Sequence, residues 1–233
     1  AVEMGVDVLE MDVRLSADGA LVIFHDSRVD RTTNGEGRVD SLTLEQLQLL
    51  DAGYRWRGDG DSYPYRGRGL RIPTLEEVLS AFPRQRLMVE IKSRDTRISR
   101  SLCQAVLAHS AQERIIVAAF SGEAIDVFRA ACPEVATAAS FGEVTWYWLL
   151  HQMRLDGLYS PDFQLFQVPE HRRSLTVVDR RFVERAHVRN LPVQVWTVNR
   201  REDMQRLLDF GVDSIITGRP DALLELLRER ELR

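Results

Sequence analysis

Glu10 and Asp12 are the first residues of the chain whose types and spacing could do chemistry. They stand two apart in an apolar segment that predicts a strand, where side chains alternate, so both carboxylates would leave the same face. Val8, Met11 and Val13 around them are apolar, which favours a strand buried on both sides. Because two buried carboxylates repel each other, a divalent cation bound between them would offset the cost. The spacing therefore indicates a metal site.

His25 follows the next apolar run, Leu21–Phe24, and is the second group suited to catalysis. Between the two runs Asp18-Gly19 predicts a tight turn and hence a hairpin. A hairpin about this turn pairs residues whose numbers sum to about 36, which puts His25 across from Glu10 or Asp12. Directly opposed residues share a face, so we expect an imidazole beside the two carboxylates.

Glu90 and Lys92 lie near the end of a later apolar segment that begins at Arg86. Barrel enzymes place their chemistry at the C-terminal ends of strands, so Glu90 is expected to complete the metal site. Two Glu and one Asp offer only oxygen, which suits one hard cation, Mg²⁺ or Ca²⁺, better than zinc. Lys92 shares the parity of Glu90, and we expect it to bind the substrate phosphate as a fixed positive charge in catalysis.

Trp196 and Asn199 come at the end of a further predicted strand, Val193–Val198. Barrel enzymes line their pockets at such strand ends, so both residues are expected to bind substrate. The remaining histidines accompany no carboxylate in a strand motif and are expected to be ordinary surface or helix residues. They are His109, His151, His171 and His187.

Strands and helices alternate along nearly the whole chain, which indicates crossover units and a mostly parallel sheet. So many repeats without a Pro/Gly/Ser linker favour an α/β fold, a (β/α)8 TIM barrel in one domain over residues 1–233. A doubly wound sheet is the alternative, but no GxGxxG follows an early strand. Residues 26–72 are expected to form an inserted segment with one helix, Thr43–Leu50, that starts with a capping box. Further on, the pattern predicts a weak strand at Gly157–Ser160 and a loop at Phe166–Thr176.

The bulk composition excludes several classes of protein. The 233 residues are 44% hydrophobic and 28% charged, with a formal net charge of -4, as in ordinary globular proteins. No basic run calls for nucleic acid, and no apolar stretch approaches the roughly 20 residues of a transmembrane helix. Two cysteines do not make a disulfide framework, so Cys103 and Cys132 are expected to be reduced core thiols. Cytoplasm is the default compartment, on this cysteine usage alone.

Short motifs follow one another in order over nearly the whole chain. They are Glu3–Val13, Asp18-Gly19, Leu21–Asp26, Asp30–Gly37, Ile72–Leu79, Glu90–Lys92, Val195–Asn199 and Gly211–Thr217. Each alone would be modest, but together they resemble the glycerophosphodiester phosphodiesterase family of the PI-PLC-like phosphodiesterase superfamily.

The resemblance implies a (β/α)8 barrel with an inserted segment, in which Glu10, Asp12 and Glu90 bind the metal. It implies that His25 is one of two catalytic histidines. The reaction would be hydrolysis of a glycerophosphodiester to sn-glycerol 3-phosphate and an alcohol. In the family the other histidine lies in a His-Arg-Gly motif on the first strand, so we expect the first strand and helix to precede Ala1.

Two alternative functions stay open. A lysophospholipase D would keep the chemistry but act on lysophospholipids at a membrane surface, and the aromatic residues in 54–69 and 146–148 are its support. A catalytically inactive barrel that binds a phosphorylated ligand is supported only by the absent first strand. Gly218 stands where the family commonly carries an acid. The expected partner is a small-molecule glycerophosphodiester, with peripheral membrane contact left open and the oligomeric state undetermined.

Overall fold

The computed structural model describes residues 1–58 and 60–232. Asp59 in the predicted insertion and Arg233 at the end of the predicted domain lie outside the described residues. The chain divides into two compact units, one of residues 10–135 and one of residues 1–9 with 136–233. The grouping of the whole chain into one domain therefore stays a prediction.

The unit of residues 10–135 carries one sheet, with strands in the order β2-β1-β3-β4. β1 and β2 are antiparallel, whereas β3 and β4 are parallel. The elements are β1 (Val8–Leu15, which begins before the unit), β2 (Leu21–Ile23), α1 (Leu44–Gln48), α2 (Leu75–Ala81), β3 (Arg86–Ile91), α3 (Arg97–Ala108), β4 (Ile115–Ala119) and α4 (Gly122–Ala131).

The predicted hairpin and its register are confirmed. Val13 pairs with Ile23 and Leu15 with Leu21, and Gly19 has a φ of 86° at the turn, where a residue without Cβ avoids strain. The ladder ends at Ile23, and the Phe24 amide then donates to the Asp12 carbonyl. The expectation that His25 itself lies directly opposite Glu10 or Asp12 is therefore wrong, because His25 comes just after the paired residues.

Residues 26–58 and 60–72 form turns around the short helix α1, which is shorter than the predicted Thr43–Leu50. Thr43 caps α1, and Gln46 returns the hydrogen bond, so the capping box is confirmed. The segment packs its own small apolar core against β2. That core comprises Val22, Val29, Val39, Leu47 and Ile72. This burial orders a polar stretch that has little regular structure.

Cys103 and Cys132 form a disulfide, so the prediction of two reduced thiols is wrong. Cys103 lies on α3 and Cys132 directly follows α4. The two helices pack against each other, which brings the buried cysteines together although they are 29 residues apart in sequence. The expected cytoplasmic compartment depended on reduced thiols and loses that basis.

The unit of residues 1–9 and 136–233 carries a second sheet, in the order β10-β9-β6, with both pairings parallel. Its elements are β5 (Ala136–Thr137), α5 (Phe141–Gln152), β6 (Phe166–Pro169), β7 (His171–Arg172), β8 (Leu175–Thr176), α6 (Arg180–His187), β9 (Val193–Trp196), α7 (Arg201–Phe210), β10 (Ser214–Ile215) and α8 (Pro220–Glu229). Its core is rich in aromatic rings, with Tyr147, Phe166 and Phe182 fully buried in contact with one another.

Two local predictions in this unit are wrong. Gly157–Ser160 is not a strand, since a 3-10 turn covers Asp156–Leu158 and the side chain that should have been buried, Leu158, is 78% exposed. Phe166–Thr176 is not a loop, because β6 pairs in parallel with β9. Burial of Phe166 and Val168 decides that strand, whereas the polar residues that follow it dominate the local pattern.

None of the helices in the described ranges is both long enough and apolar enough to cross a membrane.

Candidate active site

Three carboxylates converge on one point of the first sheet, as predicted. Glu10, Asp12 and Glu90 each present one oxygen, and these oxygens lie within 4.8 Å of one another. Glu10 and Asp12 share a face of β1, and Glu90 comes from the neighbouring strand β3. Glu90 is buried, Asp12 half-buried and Glu10 exposed, so the cluster has one open side.

Lys92 joins the cluster directly after β3. Its Nζ lies 2.6 Å from Glu90 Oε1 and 3.2 Å from Asp12 Oδ1. One ammonium thus faces three carboxylates, and two negative charges stay uncompensated when all four groups are ionised. The Oε1 atom of Glu90 is buried, and the Lys92 ammonium lies in direct contact with it.

The electrostatics of the cluster favour a further positive charge. Although the Glu10 residue as a whole is exposed, desolvation of its carboxyl group by the surrounding protein raises its pKa to about 7, helped by repulsion from Asp12 and Glu90. Burial also raises the pKa of Glu90, although Lys92 opposes the shift. Desolvation opposes the charge of Lys92, yet its contacts with Glu90 and Asp12 leave its pKa raised. A carboxylate-only donor set with uncompensated charge fits a hard dication such as Mg²⁺ or Ca²⁺.

His25 lies near this cluster with its imidazole held by Asp26. Nδ1 of His25 is 2.7 Å from Asp26 Oδ1, and 64% of the imidazole side chain is exposed. Arg31 binds Asp26 and, with His25, lowers the pKa of Asp26 to about 2. Because an ionised carboxylate only accepts, Nδ1 of His25 must carry the proton. Nε2 of the neutral imidazole then keeps its lone pair for proton transfer.

His25 also interacts electrostatically with the cluster, since it lowers the pKa of both Glu10 and Glu90. The structure thus brings together five of the predicted site residues: Glu10, Asp12, His25, Glu90 and Lys92. Such an arrangement can bind a phosphate through a cation and an ammonium, and can move a proton beside it.

A model of the Glycerophosphoryl diester phosphodiesterase family matches residues 1–222. The chain belongs to this family. A glycerophosphodiester phosphodiesterase of Caldanaerobacter subterraneus subsp. tengcongensis is 33% identical over 236 residues, which cover 98% of this chain and 89% of that protein. A glycerophosphodiester phosphodiesterase of Bacillus subtilis is 31% identical over 240 residues, which cover 95% of this chain and 76% of that protein.

Solved structures of glycerophosphoryl diester phosphodiesterases share the fold. The domain of this family in a Mycobacterium tuberculosis protein superposes with a TM-score of 0.82 at 24% identity, covering 98% of this chain and 90% of that one. An Oleispira antarctica phosphodiesterase in complex with the product sn-glycerol-3-phosphate gives 0.79 at 24% identity, covering 97% and 87%. The predicted family, the TIM-barrel fold class and the enzyme class, a phosphoric diester hydrolase, are confirmed.

Trp196 and Asn199, the two predicted substrate contacts of this family member, belong to the other unit. Trp196 is half-buried at the end of β9. The side-chain carbonyl of Asn199 accepts hydrogen bonds from the Gly218 amide at 2.8 Å and from Thr217 Oγ1 at 3.1 Å. Asn199 thereby connects two turns, and Gly218 has a structural contact through its amide. Substrate binding by Trp196 or Asn199 stays a prediction.

Sequence reasoning missed the residues that support the site. Asp26 directly follows His25 in the motif, and this adjacency was the available signal for its orienting role. Arg31 and Arg14 gave no comparable signal, because their partners become visible only once the loops are folded. In the insertion, Arg66 stacks on the rings of Tyr54 and Tyr63 at 4.3 and 3.8 Å from their centroids, so these aromatic residues contribute to holding the loop in place.

Proposed function

We propose that the chain hydrolyses glycerophosphodiesters to sn-glycerol 3-phosphate and an alcohol with the help of one divalent cation, Mg²⁺ or Ca²⁺. The convergence of Glu10, Asp12 and Glu90 carries this proposal, because their oxygens lie within 4.8 Å of one another. Family membership supports the reaction, and the product-bound Oleispira antarctica relative supports the product.

Glu10, Asp12 and Glu90 would hold the cation. When bound, it supplies positive charge that stabilises the phosphoryl oxygens in the transition state. Lys92 adds a second positive charge, and its contacts with Asp12 and Glu90 hold its Nζ in one position before substrate binds. An ammonium held in this way can stabilise the negative charge on the phosphoryl oxygens more strongly in the transition state than in the ground state.

His25 would transfer the proton. In one assignment Nε2 accepts a proton from the nucleophile, and in the other the imidazolium donates one to the leaving alcohol. The nucleophile is water, or a glycerol hydroxyl that forms a cyclic phosphodiester which water then opens. In each route a new P–O bond forms, the P–O bond to the alcohol breaks, and the alcohol leaves protonated. Trp196 and Asn199 are proposed to contact the substrate.

The metal requirement is tested with chelator-treated protein. Titration calorimetry with Mg²⁺ and with Ca²⁺ should show one site in wild type, and Glu90→Gln should weaken it by about tenfold or more. Glu76→Gln, an exposed glutamate on α2, is the matched control and should bind as wild type does. Release of glycerol 3-phosphate from glycerophosphocholine at full rate in excess chelator would rule out metal dependence.

The role of His25 is tested separately. Replacing His25 with Ala should lower the turnover of glycerophosphocholine by about two to four orders of magnitude, as for other general acid–base residues. The cation affinity should change little, because His25 does not belong to the carboxylate cluster. An activity loss below tenfold would remove His25 from the mechanism.

A lysophospholipase D is the second candidate function, and one observation favours it. Trp146 and Leu149 on α5 and Met153 directly after it form an exposed apolar stripe, with Trp146 55% exposed, as expected of a helix that contacts a lipid surface. Faster turnover of lysophosphatidylcholine vesicles than of glycerophosphocholine would favour this function and membrane contact. A protein that binds inorganic phosphate but turns over neither substrate would be the inactive barrel.

A further inference from the structure

Arg14 lies on the same face of β1 as Glu10 and Asp12, and it follows Asp12 by two residues toward the C-terminal end of the strand. It is half-buried, so its guanidinium is ordered by protein groups rather than by bulk water. Neither the sequence motifs nor the proposed mechanism gives it a role.

The guanidinium of Arg14 binds the main chain of both residues proposed to act on the phosphate. Nε and Nη2 donate to the His25 carbonyl at 3.1 and 2.7 Å. Nη1 donates to the Lys92 carbonyl at 2.6 Å. His25 follows β2 and Lys92 follows β3, and these strands flank β1 on its two sides. One side chain therefore connects the two segments across the central strand.

Arginine is suited to this connection, and lysine is not. The guanidinium is a rigid planar fork with five N–H donors, so it can bind two carbonyls in fixed directions. An ammonium keeps the charge but is a point donor on a flexible stem. Asp12, Asp26 and Asp40 lie near enough to favour the charged form of Arg14 against the desolvation that lowers its pKa.

We propose that Arg14 is a positioning residue that sets the separation between the His25 imidazole and the Lys92 ammonium by holding the main chain of both. The inference rests on the proposed roles of His25 and Lys92. Displacement of a reacting group by about 1 Å can lower the rate about a hundredfold, so loss of this clamp acts on the chemical step.

Sheet formation does not depend on Arg14. Backbone hydrogen bonds join the Phe24 amide to the Asp12 carbonyl on one side and the Lys92 amide to the Val13 carbonyl on the other. These bonds remain when the side chain is replaced. We therefore expect the carboxylate cluster to survive, whereas the segments just beyond β2 and β3 relax.

The test compares Arg14→Lys and Arg14→Ala with Arg97→Lys. Arg97 lines the same cavity of about 340 Å³ as Arg14 but binds Asp95 instead of the site segments, so it is a matched control. For each protein we would measure kcat and KM for glycerophosphocholine, the Kd for Mg²⁺ by calorimetry, and the thermal midpoint. Arg14→Ala is also assayed with added methylguanidine, which the cavity could admit.

Arg14→Lys should lower kcat by about 10- to 100-fold while the Kd for Mg²⁺ and the thermal midpoint stay near wild type. Methylguanidine should restore part of the activity of Arg14→Ala and leave Arg97→Lys unchanged. The proposal is overturned if Arg14→Lys keeps full kcat, or if cation affinity, stability and activity fall together without rescue. An inactive wild type would instead contradict the proposed function, so the two failures are distinguishable.

Discussion

The disulfide between Cys103 and Cys132 should contribute several kcal/mol to the stability of this chain. The bond joins residues 29 apart in sequence and clasps α3 to the end of α4. In the chain-entropy account, closing a loop of about 30 residues lowers the entropy of the unfolded chain enough to stabilise the fold by about 3.5 kcal/mol. For a chain of this length, each kcal/mol shifts the thermal midpoint by about 2–4 °C.

The perturbation is a double substitution, Cys103→Ala with Cys132→Ala. It should lower the thermal midpoint by about 7–14 °C relative to the oxidised wild type, since the native helix packing is retained while the unfolded chain regains its freedom. Calorimetry or circular dichroism would measure the midpoints. Reductant should lower the midpoint of wild type in the same direction, but should leave the double variant unchanged, which makes that variant its own control.

The reasoning is refuted if the thiols prove to be free. Both cysteines are buried, so alkylation is carried out in denaturant without reductant, and no cysteine should react. Alkylation of both residues, or a midpoint that reductant does not alter, would show that the two helices hold together without the covalent bond.

Three more predictions follow from buried or crowded groups. The pKa of Glu10 rises from 4.5 to about 7 in the fold, so between these pH values the folded chain keeps a proton that the unfolded chain releases. Metal-free protein should therefore lose stability as the pH rises from about 5 to 7. Glu10→Gln should remove this loss from a plot of the thermal midpoint against pH. Gly53→Ala would place a Cβ 2.7 Å from the Tyr65 carbonyl and should destabilise by about 1–3 kcal/mol in urea unfolding, whereas Gly122→Ala, with open space around it, should not. The buried hydroxyl of Tyr147 has no hydrogen-bond partner in residues 1–58 and 60–232, so Tyr147→Phe should leave stability within about 1 kcal/mol of wild type or raise it; a loss above 2 kcal/mol would mean that the hydroxyl is hydrogen-bonded in solution.

The candidate site could be predicted from the sequence where local rules decide the geometry. The parity of Glu10 and Asp12 follows from strand pleating, and the register followed from the Asp18-Gly19 turn. The position of His25 was less accurate, because pairing stops at Ile23 and the chain then leaves the strand. Alternation of apolar side chains predicts that a segment can pair as a strand, but it does not predict the last residue of the pairing.

The disulfide and the Arg14 clamp could not be predicted, since both depend on segments far apart in sequence. Whether Cys103 meets Cys132 depends on how α3 packs on α4, which composition does not encode. The carbonyls bound by Arg14 belong to residues 11 and 78 positions away, and main-chain acceptors leave no trace in a sequence. The strand β6 was missed for a similar reason, because its pairing with β9 fixes it.

The carboxylate cluster is divided between two neighbouring strands, and this has a consequence for how the chain folds. A shift of β1 by one residue would turn Glu10 and Asp12 to the opposite face and leave Glu90 alone. Only the correctly aligned sheet therefore offers three oxygens to a cation, and a cation taken up there would stabilise that alignment over its competitors. Cation binding during refolding would then selectively stabilise the correct strand register before the protein meets substrate.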